Sequence, residues 1–320
     1  MKIAIAVIII LIIVYFVVSF VLAEFCGTLL VTPPLRFRPG KEQVIESDVR
    51  EFASKHTMYA GADYASYEKW DAEKFILNNN CVGIPAVYHK QEHARGCVIL
   101  AHGFGQNRYA SVPYAELFRS LGFSTLLFDQ RCFGESEAPN GGFGELEAGD
   151  VAALIDWVKE KCGTNEKIVL HGVSMGAMSC MNALLLSDKI DGVIEDCGPA
   201  RALEGAVYVW KSMVPLPNPF LKSSIIRKAD SLGLHMKENN PVKAVENSGV
   251  PICIIHGDAD QAVPVSDAEA IFKVCKNPKS RLEIFSSRGH AYSICDVERY
   301  KEILAGFLEE ICCEEQRDYE

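Results

Sequence analysis

The pattern of apolar and polar residues divides this chain into two contrasting parts. Residues 3–23 are apolar and uncharged, with Ser19 as the only clearly polar side chain. Beyond residue 82, short apolar runs alternate with longer segments in which apolar residues recur at helical spacing. Alternation of this kind predicts a mostly parallel sheet with helices on both faces. The pattern therefore indicates an α/β domain that follows one strongly apolar helix.

Six of the short runs are predicted to be strands, because they are rich in branched or large apolar residues, as doubly covered parallel strands are. They lie at residues 96–100, 124–128, 167–170, 192–194, 251–255 and 282–285. Helices are predicted at residues 113–121, 146–161, 176–185, 266–274 and 297–312. The second of these carries an apolar stripe at helical spacing, which predicts a face packed on the core: Val151, Leu154, Ile155 and Val158.

The first apolar run is long enough to cross a membrane. A helix of these 21 residues is about 31 Å long, close to the roughly 30 Å of a hydrocarbon core. We therefore predict a single-pass transmembrane anchor over residues 1–23. A cleaved signal peptide is the alternative, because Val21-Leu22-Ala23 fits a signal peptidase site, although the run is longer than usual for a signal. The short Met1-Lys2 start and the basic residues at 36, 38 and 41 favour opposite orientations, so the side of the membrane is left open.

The rest of the chain is assigned to two segments. Residues 24–82 contain Pro33-Pro34 and a charged stretch but no long apolar run, so we interpret them as a tether and a partly helical extension. The α/β domain is assigned to residues 83–320. Within it, residues 199–245 interrupt the alternation of strands and helices with prolines, aromatic residues and basic residues. We interpret that segment as an insertion between two strands.

Composition excludes several classes of protein. A hydrophobic content of 49% is enough for a large core, which argues against disorder. The 32 Lys and Arg residues against 42 Asp and Glu residues give a net charge of −10, which is the wrong sign for binding a phosphate backbone. No nucleic acid partner is expected. The 12 cysteines include no C-x-x-C pair, so the sequence implies no disulfide framework.

The candidate nucleophile follows the third predicted strand. His171-Gly172-Val173-Ser174-Met175-Gly176 contains G-x-S-x-G, placed between a strand and a helix as a nucleophile elbow requires. A sharp turn there strains the serine backbone and leaves no room for side chains two residues away on either side. The turn exposes the Ser174 hydroxyl at a helix N-terminus, where free N–H groups favour negative charge. The N–H of Met175, the next residue, is predicted to be one donor of an oxyanion hole.

A serine hydroxyl needs a base to take its proton and an acid to hold that base. Two carboxylates, Asp258 and Asp260, follow the predicted strand at residues 251–255. His290 follows the last predicted strand, directly before the final helix. The chain order of serine, acid and histidine is that of α/β-hydrolases. From the residues alone, either aspartate is a candidate for the acid.

These motifs resemble those of the α/β-hydrolase superfamily over roughly residues 83–315. The likeness is greatest to bacterial membrane-anchored hydrolases of the serine-aminopeptidase and monoacylglycerol-lipase-like group. The resemblance implies that the acid is Asp260, the fifth residue of H-G-x-x-D-x-x-V-P, with Asp258 as the alternative. It further implies that the loop His102-Gly103-Phe104 supplies the second oxyanion donor. This donor is assigned to the N–H of Phe104, with the N–H of Gly103 as the alternative. The insertion at residues 199–245 then corresponds to the lid of that fold.

The expected activity is that of a membrane-anchored serine hydrolase with the triad Ser174, Asp260 and His290. We expect a small-molecule or lipid-like acyl substrate, held in an ester or thioester or in an amide, and neither a metal nor a cofactor, because the triad chemistry requires neither. A peptidase is the alternative within this class. A catalytically silent, membrane-tethered binding protein is the alternative from another class.

Overall fold

An eight-stranded sheet forms the centre of the part of the chain that the computed structural model describes, namely residues 2–33, 40–46, 62–213 and 217–312. The strands are β1 (Glu73–Asn79), β2 (Val82–His89), β3 (Cys97–Ala101), β4 (Ser124–Phe128), β5 (Ile168–Val173), β6 (Gly192–Asp196), β7 (Ile252–Gly257) and β8 (Arg281–Phe285). Their order across the sheet is β1-β2-β4-β3-β5-β6-β7-β8. The strands β1, β2 and β4 pair antiparallel, and all pairs from β4 to β8 are parallel. The carboxyl ends of the parallel strands therefore meet along one edge, where ligands bind in open α/β sheets.

Helices precede, connect and follow the strands of this sheet, and some of them cover its two faces. They are α1 (Lys2–Val31), α2 (Tyr64–Tyr67), α3 (Val112–Ser120), α4 (Glu145–Cys162), α5 (Met175–Ala183), α6 (Ala202–Met213), α7 (Asn218–Ser231), α8 (Pro241–Glu246), α9 (Val265–Val274) and α10 (Val297–Cys312). Helices α4, α5 and α9 pack on one face, and α3 and α10 pack on the other. The predicted fold class, an α/β-hydrolase fold with a mostly parallel sheet between helices, is confirmed.

Apolar side chains from both layers meet on the sheet and hold the layers together. The stripe predicted on α4 is fully buried in one cluster, and Phe118, Tyr300 and Phe307 are fully buried in the other. Burying a side chain of this size contributes about 1.5–3 kcal/mol of transfer free energy. The core therefore fixes the strand ends that carry the polar side chains described below.

The sheet begins earlier than residue 83. Strand β1 lies within residues 24–82, which the sequence assigns to a tether, and it pairs with β2 from Glu73↔Tyr88 to Asn79↔Val82. Side chains of this edge strand are exposed or half-buried in alternation, so β1 lacks the continuous apolar run that marks the parallel strands. Strand β2 contains Pro85, which also departs from that pattern.

The apolar N-terminal segment forms one continuous helix, α1, that reaches Val31, eight residues beyond the predicted anchor. It is long and apolar enough to cross a membrane, and a signal sequence near the N-terminus would meet the same criteria. Most of its large side chains between Ile5 and Phe25 are exposed. Ala23, Cys26, Leu30 and Val31 are instead buried in a cluster shared with the insertion.

The insertion predicted at residues 199–245 contains the helices α6, α7 and α8, of which α8 ends one residue later. Helices α6 and α7 pack against each other, and α7 also packs along α1. We refer to α6 and α7 together as the lid. Its buried side chains share a cluster with Met175, the residue next to Ser174, so the lid lies over the carboxyl edge of the sheet.

Candidate active site

Ser174 lies at the sharp turn between β5 and α5. Its backbone has φ 55° and ψ −115°, a left-handed conformation that costs about 1–3 kcal/mol in a residue other than glycine. The turn brings the backbones of its neighbours close together. A Cβ at position 172 would lie 2.3 Å from the carbonyl oxygen of Gly176, and one at position 176 would lie 2.1 Å from that of Ala101. The glycines of G-x-S-x-G are therefore required by close backbone approach.

The steric requirement at Gly176 leads to a prediction about stability. We expect Gly176→Ala to lower the free energy of unfolding by about 2–4 kcal/mol, because the new methyl group collides with backbone that cannot move aside. Gly149→Ala is the matched control, since it adds the same methyl to helix α4 with Asn79 Nδ2 as the nearest atom, at 3.9 Å. That change should raise stability by up to about 1 kcal/mol. Chemical denaturation followed by circular dichroism measures both values, and equal effects would contradict the argument.

Three side chains from different strand ends form a hydrogen-bonded chain. Nε2 of His290 lies 2.9 Å from Ser174 Oγ, and its Nδ1 lies 2.7 Å from Oδ2 of Asp260. The imidazole is 28% exposed, whereas the Asp260 carboxylate is fully buried. In this arrangement Nδ1–H of a neutral imidazole donates to the carboxylate, and the serine O–H donates to Nε2. The geometry is that of a nucleophile, its base and an orienting acid.

The two candidate aspartates occupy different environments. Oδ1 of Asp260 accepts hydrogen bonds from the backbone N–H groups of Ala262 and Val263, both at 2.8 Å, which turns its other oxygen toward His290. Asp258 is exposed and accepts instead from the N–H of Ser287 at 2.6 Å and from the hydroxyl of Ser286 at 3.2 Å. Of the two, the structure brings Asp260 and not Asp258 into contact with His290.

A second histidine lies behind the acid. Nε2 of the buried His256 is 3.4 Å from Asp260 Oδ2 and 3.0 Å from the carbonyl oxygen of Val263. Burial lowers the pKa of His256, but the hydrogen bond with Asp260 and the charge of Glu195 outweigh it and raise that pKa to about 9. Burial also opposes ionisation of Asp260, yet its contacts with His256 and His290 hold its pKa well below the usual range. The acid is therefore ionised at neutral pH.

The loop after β3 lies against the nucleophile. A Cβ at Gly103 would be 3.7 Å from Ser174 Cβ, and the N–H of Gly103 donates to the side chain of Gln106 at 3.2 Å. That bond occupies the Gly103 donor and favours Phe104 as the loop's oxyanion donor. Met175 is the first residue of α5, so its N–H has no acceptor in a preceding helical turn. Both assignments remain predictions of which N–H groups meet a substrate oxygen.

Gln130 is a supporting residue that the sequence pattern did not single out. Its backbone N–H donates to Nε2 of His102 at 3.0 Å, and its side chain accepts from the Ser179 hydroxyl at 2.8 Å. Nδ1 of His102 lies 2.8 Å from the carbonyl oxygen of Gly103, so the imidazole is neutral with its proton on Nδ1. Burial accordingly lowers the pKa of His102. Gln130 thereby ties the oxyanion loop to helix α5.

Two side chains of the hydrogen-bonded chain also belong to a group that could hold a metal. Ligand atoms of Cys197, Asp260 and His290 lie within 4.8 Å of one another. The imidazole and the carboxylate already bond each other, and His290 also bonds Ser174. A cation bound to Nδ1 of His290 would displace the Asp260 hydrogen bond. The chemistry of this donor set therefore fits the triad better than a resident metal.

Comparisons with known proteins agree with this fold. The family model for the alpha/beta hydrolase fold matches residues 96–216. Uncharacterized protein YqkD of Bacillus subtilis is 27% identical over 251 residues, which are 77% of this chain and 82% of YqkD. Esterase Pf2001 of Pyrococcus furiosus superposes with a TM-score of 0.65 at 21% identity, covering 78% of this chain and 95% of the esterase. Est1E of Butyrivibrio proteoclasticus, solved with bound ferulic acid, gives 0.58 at 19% identity, covering 75% and 100%.

The structural neighbours share little sequence with this chain, so their likeness concerns the fold. The family match covers strands β3 to β6, the loop after β3 and the nucleophile elbow, whereas Asp260 and His290 lie beyond the matched residues. The resemblance noted from those motifs is therefore confirmed at the level of the superfamily. By its fold and by the family match over residues 96–216, this chain is similar to the α/β-hydrolases.

Proposed function

We propose that this protein is a serine hydrolase that cleaves carboxylic esters or thioesters through an acyl-enzyme, with amides as the competing substrate class. The observation that carries the proposal is the position of His290. Its two ring nitrogens lie 2.9 Å from the hydroxyl of Ser174 and 2.7 Å from the carboxylate of Asp260. That arrangement supplies a base for the nucleophile and an acid that holds the base.

In the first half of the reaction, Ser174 Oγ attacks the substrate carbonyl carbon while its proton passes to Nε2 of His290. The carbonyl oxygen gains negative charge, which the N–H groups of Phe104 and Met175 stabilise. Each such donor lowers the barrier by about 2.7–4 kcal/mol. The bond to the leaving group then breaks, and His290 gives its proton to the departing alcohol, thiol or amine. The acyl group remains bound to Ser174.

In the second half, water replaces the leaving group. His290 accepts a proton from the water molecule, the resulting hydroxide attacks the acyl carbon, and the proton returns to Ser174 as the carboxylic acid departs. Asp260 remains ionised throughout and stabilises the imidazolium that forms twice in each cycle. The contacts that hold the pKa of Asp260 low support this assignment.

We also propose that α1 is an uncleaved membrane anchor. A signal peptidase would cut after Ala23, but helix α1 continues without interruption from Lys2 to Val31 across that bond. Ala23 is fully buried against the lid. Both observations support a helix that remains part of the mature protein.

The apolar surroundings of the nucleophile favour an acyl substrate over a peptide. Phe104, Phe133 and Phe143 pack beside Met175 in the cluster that the lid completes. One structural neighbour carries the name esterase. The sequence motifs around the triad include no further carboxylate that would hold a free amino terminus, so they favour an esterase over an aminopeptidase.

A hydrolysis profile tests the proposed substrate class. The purified protein is assayed on p-nitrophenyl esters of increasing acyl length, on an acyl thioester and on aminoacyl p-nitroanilides. We expect turnover of the esters with kcat/KM at least about a hundredfold above that for the anilides, because a dedicated amide site would need polar partners for the peptide. Faster cleavage of the anilides would favour the peptidase. Absence of turnover on all three classes would favour a silent binding protein.

A further inference from the structure

The apolar helix α1 and the lid helix α7 pack closely over the second half of α1. The rings of Phe16 and Phe20 lie edge-on to Phe220, with centroid distances of 5.8 and 6.4 Å. Farther along, a Cβ at Gly27 would be 2.5 Å from the hydroxyl of Ser224. Residue numbers rise along both helices in the same direction through these contacts, so α7 begins beside Phe16 and Phe20 and runs toward the body of the protein.

A charged pair links the two helices just beyond the apolar run. Glu24, the first charged residue after the apolar run, forms an ion pair with Arg227 of α7. The Arg227 guanidinium also lies 5.6 Å from the ring centroid of Phe20. Before this level α1 carries no charge back to residue 3, and after Phe25 the rest of α1 is buried or half-buried in protein. The pair therefore fits the boundary between a lipid layer and the aqueous side.

The depth of the lid in the lipid layer can be calculated from the helical rise per residue of α1. At 1.5 Å per residue, Phe20 lies about 5 Å and Phe16 about 10 Å from Ala23, on the apolar side. Phe220 contacts both phenylalanines, so the first turn of α7 lies at the same depth. Lys222, the first charged residue of α7, pairs with Glu204 of α6 at 3.2 Å, and a lysine at this level can extend its amine toward the head groups.

The exposed side of this helix pair is apolar. Phe16 and Phe20 remain 48% and 46% exposed although they contact Phe220. Large apolar side chains of α1 from Ile5 to Leu22 are similarly exposed, over a helix length of about 27 Å, which is close to the thickness of a bilayer core. A lipid bilayer is the occupant that fits a band of this length without charge.

An apolar cluster connects this end of the lid with the nucleophile. It includes Met175 beside Ser174, Trp210 and Leu221 of the lid, and Ala23 of α1. An acyl chain that enters the protein from the lipid layer along the lid would therefore meet apolar side chains as far as the reacting serine.

From these contacts we infer that the end of the lid that carries Phe220 is inserted in the lipid layer beside α1. We further infer that the substrate is an acyl ester in that same layer. This inference rests on the proposed hydrolase function. The lid then receives its substrate by lateral movement within the bilayer, and the charged pair Glu24 and Arg227 holds the lid at the membrane surface.

Fluorescence quenching tests where the lid lies. The full chain is reconstituted in phosphatidylcholine vesicles, with or without lipids brominated on their acyl chains. The added tryptophan of Phe220→Trp should be quenched by the brominated lipid. The added tryptophan of Phe272→Trp, on the exposed side of α9 (40% exposed) away from α1, should not be. Absence of quenching at position 220, or equal quenching at both positions, would overturn the inference.

A kinetic comparison tests where the substrate lies. Two probes are used: 4-methylumbelliferyl oleate embedded in the vesicles and 4-methylumbelliferyl acetate in water. The ratio of kcat/KM for oleate to that for acetate should fall about tenfold in Phe220→Ser, because the lid loses its apolar contact with the layer. It should be unchanged in Phe272→Ser and restored in Phe220→Leu. An unchanged ratio in Phe220→Ser would contradict the inference. If the wild type cleaves neither probe, the hydrolase proposal fails, while the quenching result still decides the position of the lid.

Discussion

Replacement of Ser174 by alanine is expected to lower kcat for a short p-nitrophenyl ester roughly a million-fold, as removal of a triad nucleophile does. The physical reason is that the hydroxyl 2.9 Å from His290 Nε2 supplies the electron pair that forms the acyl-enzyme. Because the methyl side chain of alanine is smaller than the serine side chain and the strained backbone is retained, the fold should persist. Steady-state kinetics with a melting curve for each protein measures both effects.

A matched control separates this effect from a general loss of activity. Ser266→Ala removes a hydroxyl from the exposed side of α9 and should leave turnover within about twofold of the wild type. His290→Ala should lose nearly as much activity as Ser174→Ala, since the two side chains act as one unit. A Ser174→Ala protein that retains more than about a hundredth of the wild-type kcat would contradict the assignment of the nucleophile.

The second large effect is expected at Asp260. In Asp260→Asn the side-chain oxygen can still accept the N–H groups of Ala262 and Val263, which turns the amide NH2 toward Nδ1 of His290. The NH2 donates, so the imidazole carries its proton on Nε2 and no longer accepts the proton of Ser174. We expect kcat to fall about ten-thousand-fold with little change in KM.

Asp258→Asn is the matched control for the acid. Asp258 is exposed, and its carboxylate oxygens accept hydrogen bonds from Ser286 and Ser287 rather than from His290. The substitution should therefore change kcat by less than about threefold. The pair of variants is compared on the same ester, with denaturation curves to confirm that both proteins are folded. If Asp258→Asn proves the more damaging change, the acid has been assigned to the wrong aspartate.

Sequence pattern predicted the fold where strands are buried on both faces. Strands β3 to β7 are buried along their whole length, and each is predicted within a few residues of its observed position. The half-buried edge strand β8 is also predicted, from its residues Leu282, Ile284 and Phe285. Strands β1 and β2 lie at the edge and beside it, where one side of β1 remains exposed. Their polar and proline-containing sequences follow from that position, and a search for doubly buried strands does not detect them.

The parts of the site that can be predicted are those determined by residues close together in the sequence. G-x-S-x-G reports a steric constraint within five residues, so Ser174 and its turn were identified directly. The choice between Asp258 and Asp260 depends on how the loop after β7 folds back on Ser286 and Ser287, which are remote in sequence. Gln130 acts through His102 and Ser179, and no spacing along the chain reveals that contact.

The pairing of α1 with the lid was beyond sequence pattern for a different reason. An amphipathic helix shows which face is buried, but α1 is apolar on all sides, so its periodicity does not distinguish a lipid-facing side from a protein-facing side. Its partner, α7, is about 200 residues away. The contact of Glu24 with Arg227 becomes apparent only in three dimensions.

Labelling with a fluorophosphonate probe tests the central claim most directly, because the probe reacts only with a serine activated by its own base. The serine oxygen displaces fluoride from phosphorus, so the wild type should gain the mass of one probe less HF, and peptide mapping should locate the label on Ser174. Prior denaturation or the Ser174→Ala substitution should abolish the label. A wild type that does not react, or a label carried by any other serine, would contradict the proposed chemistry.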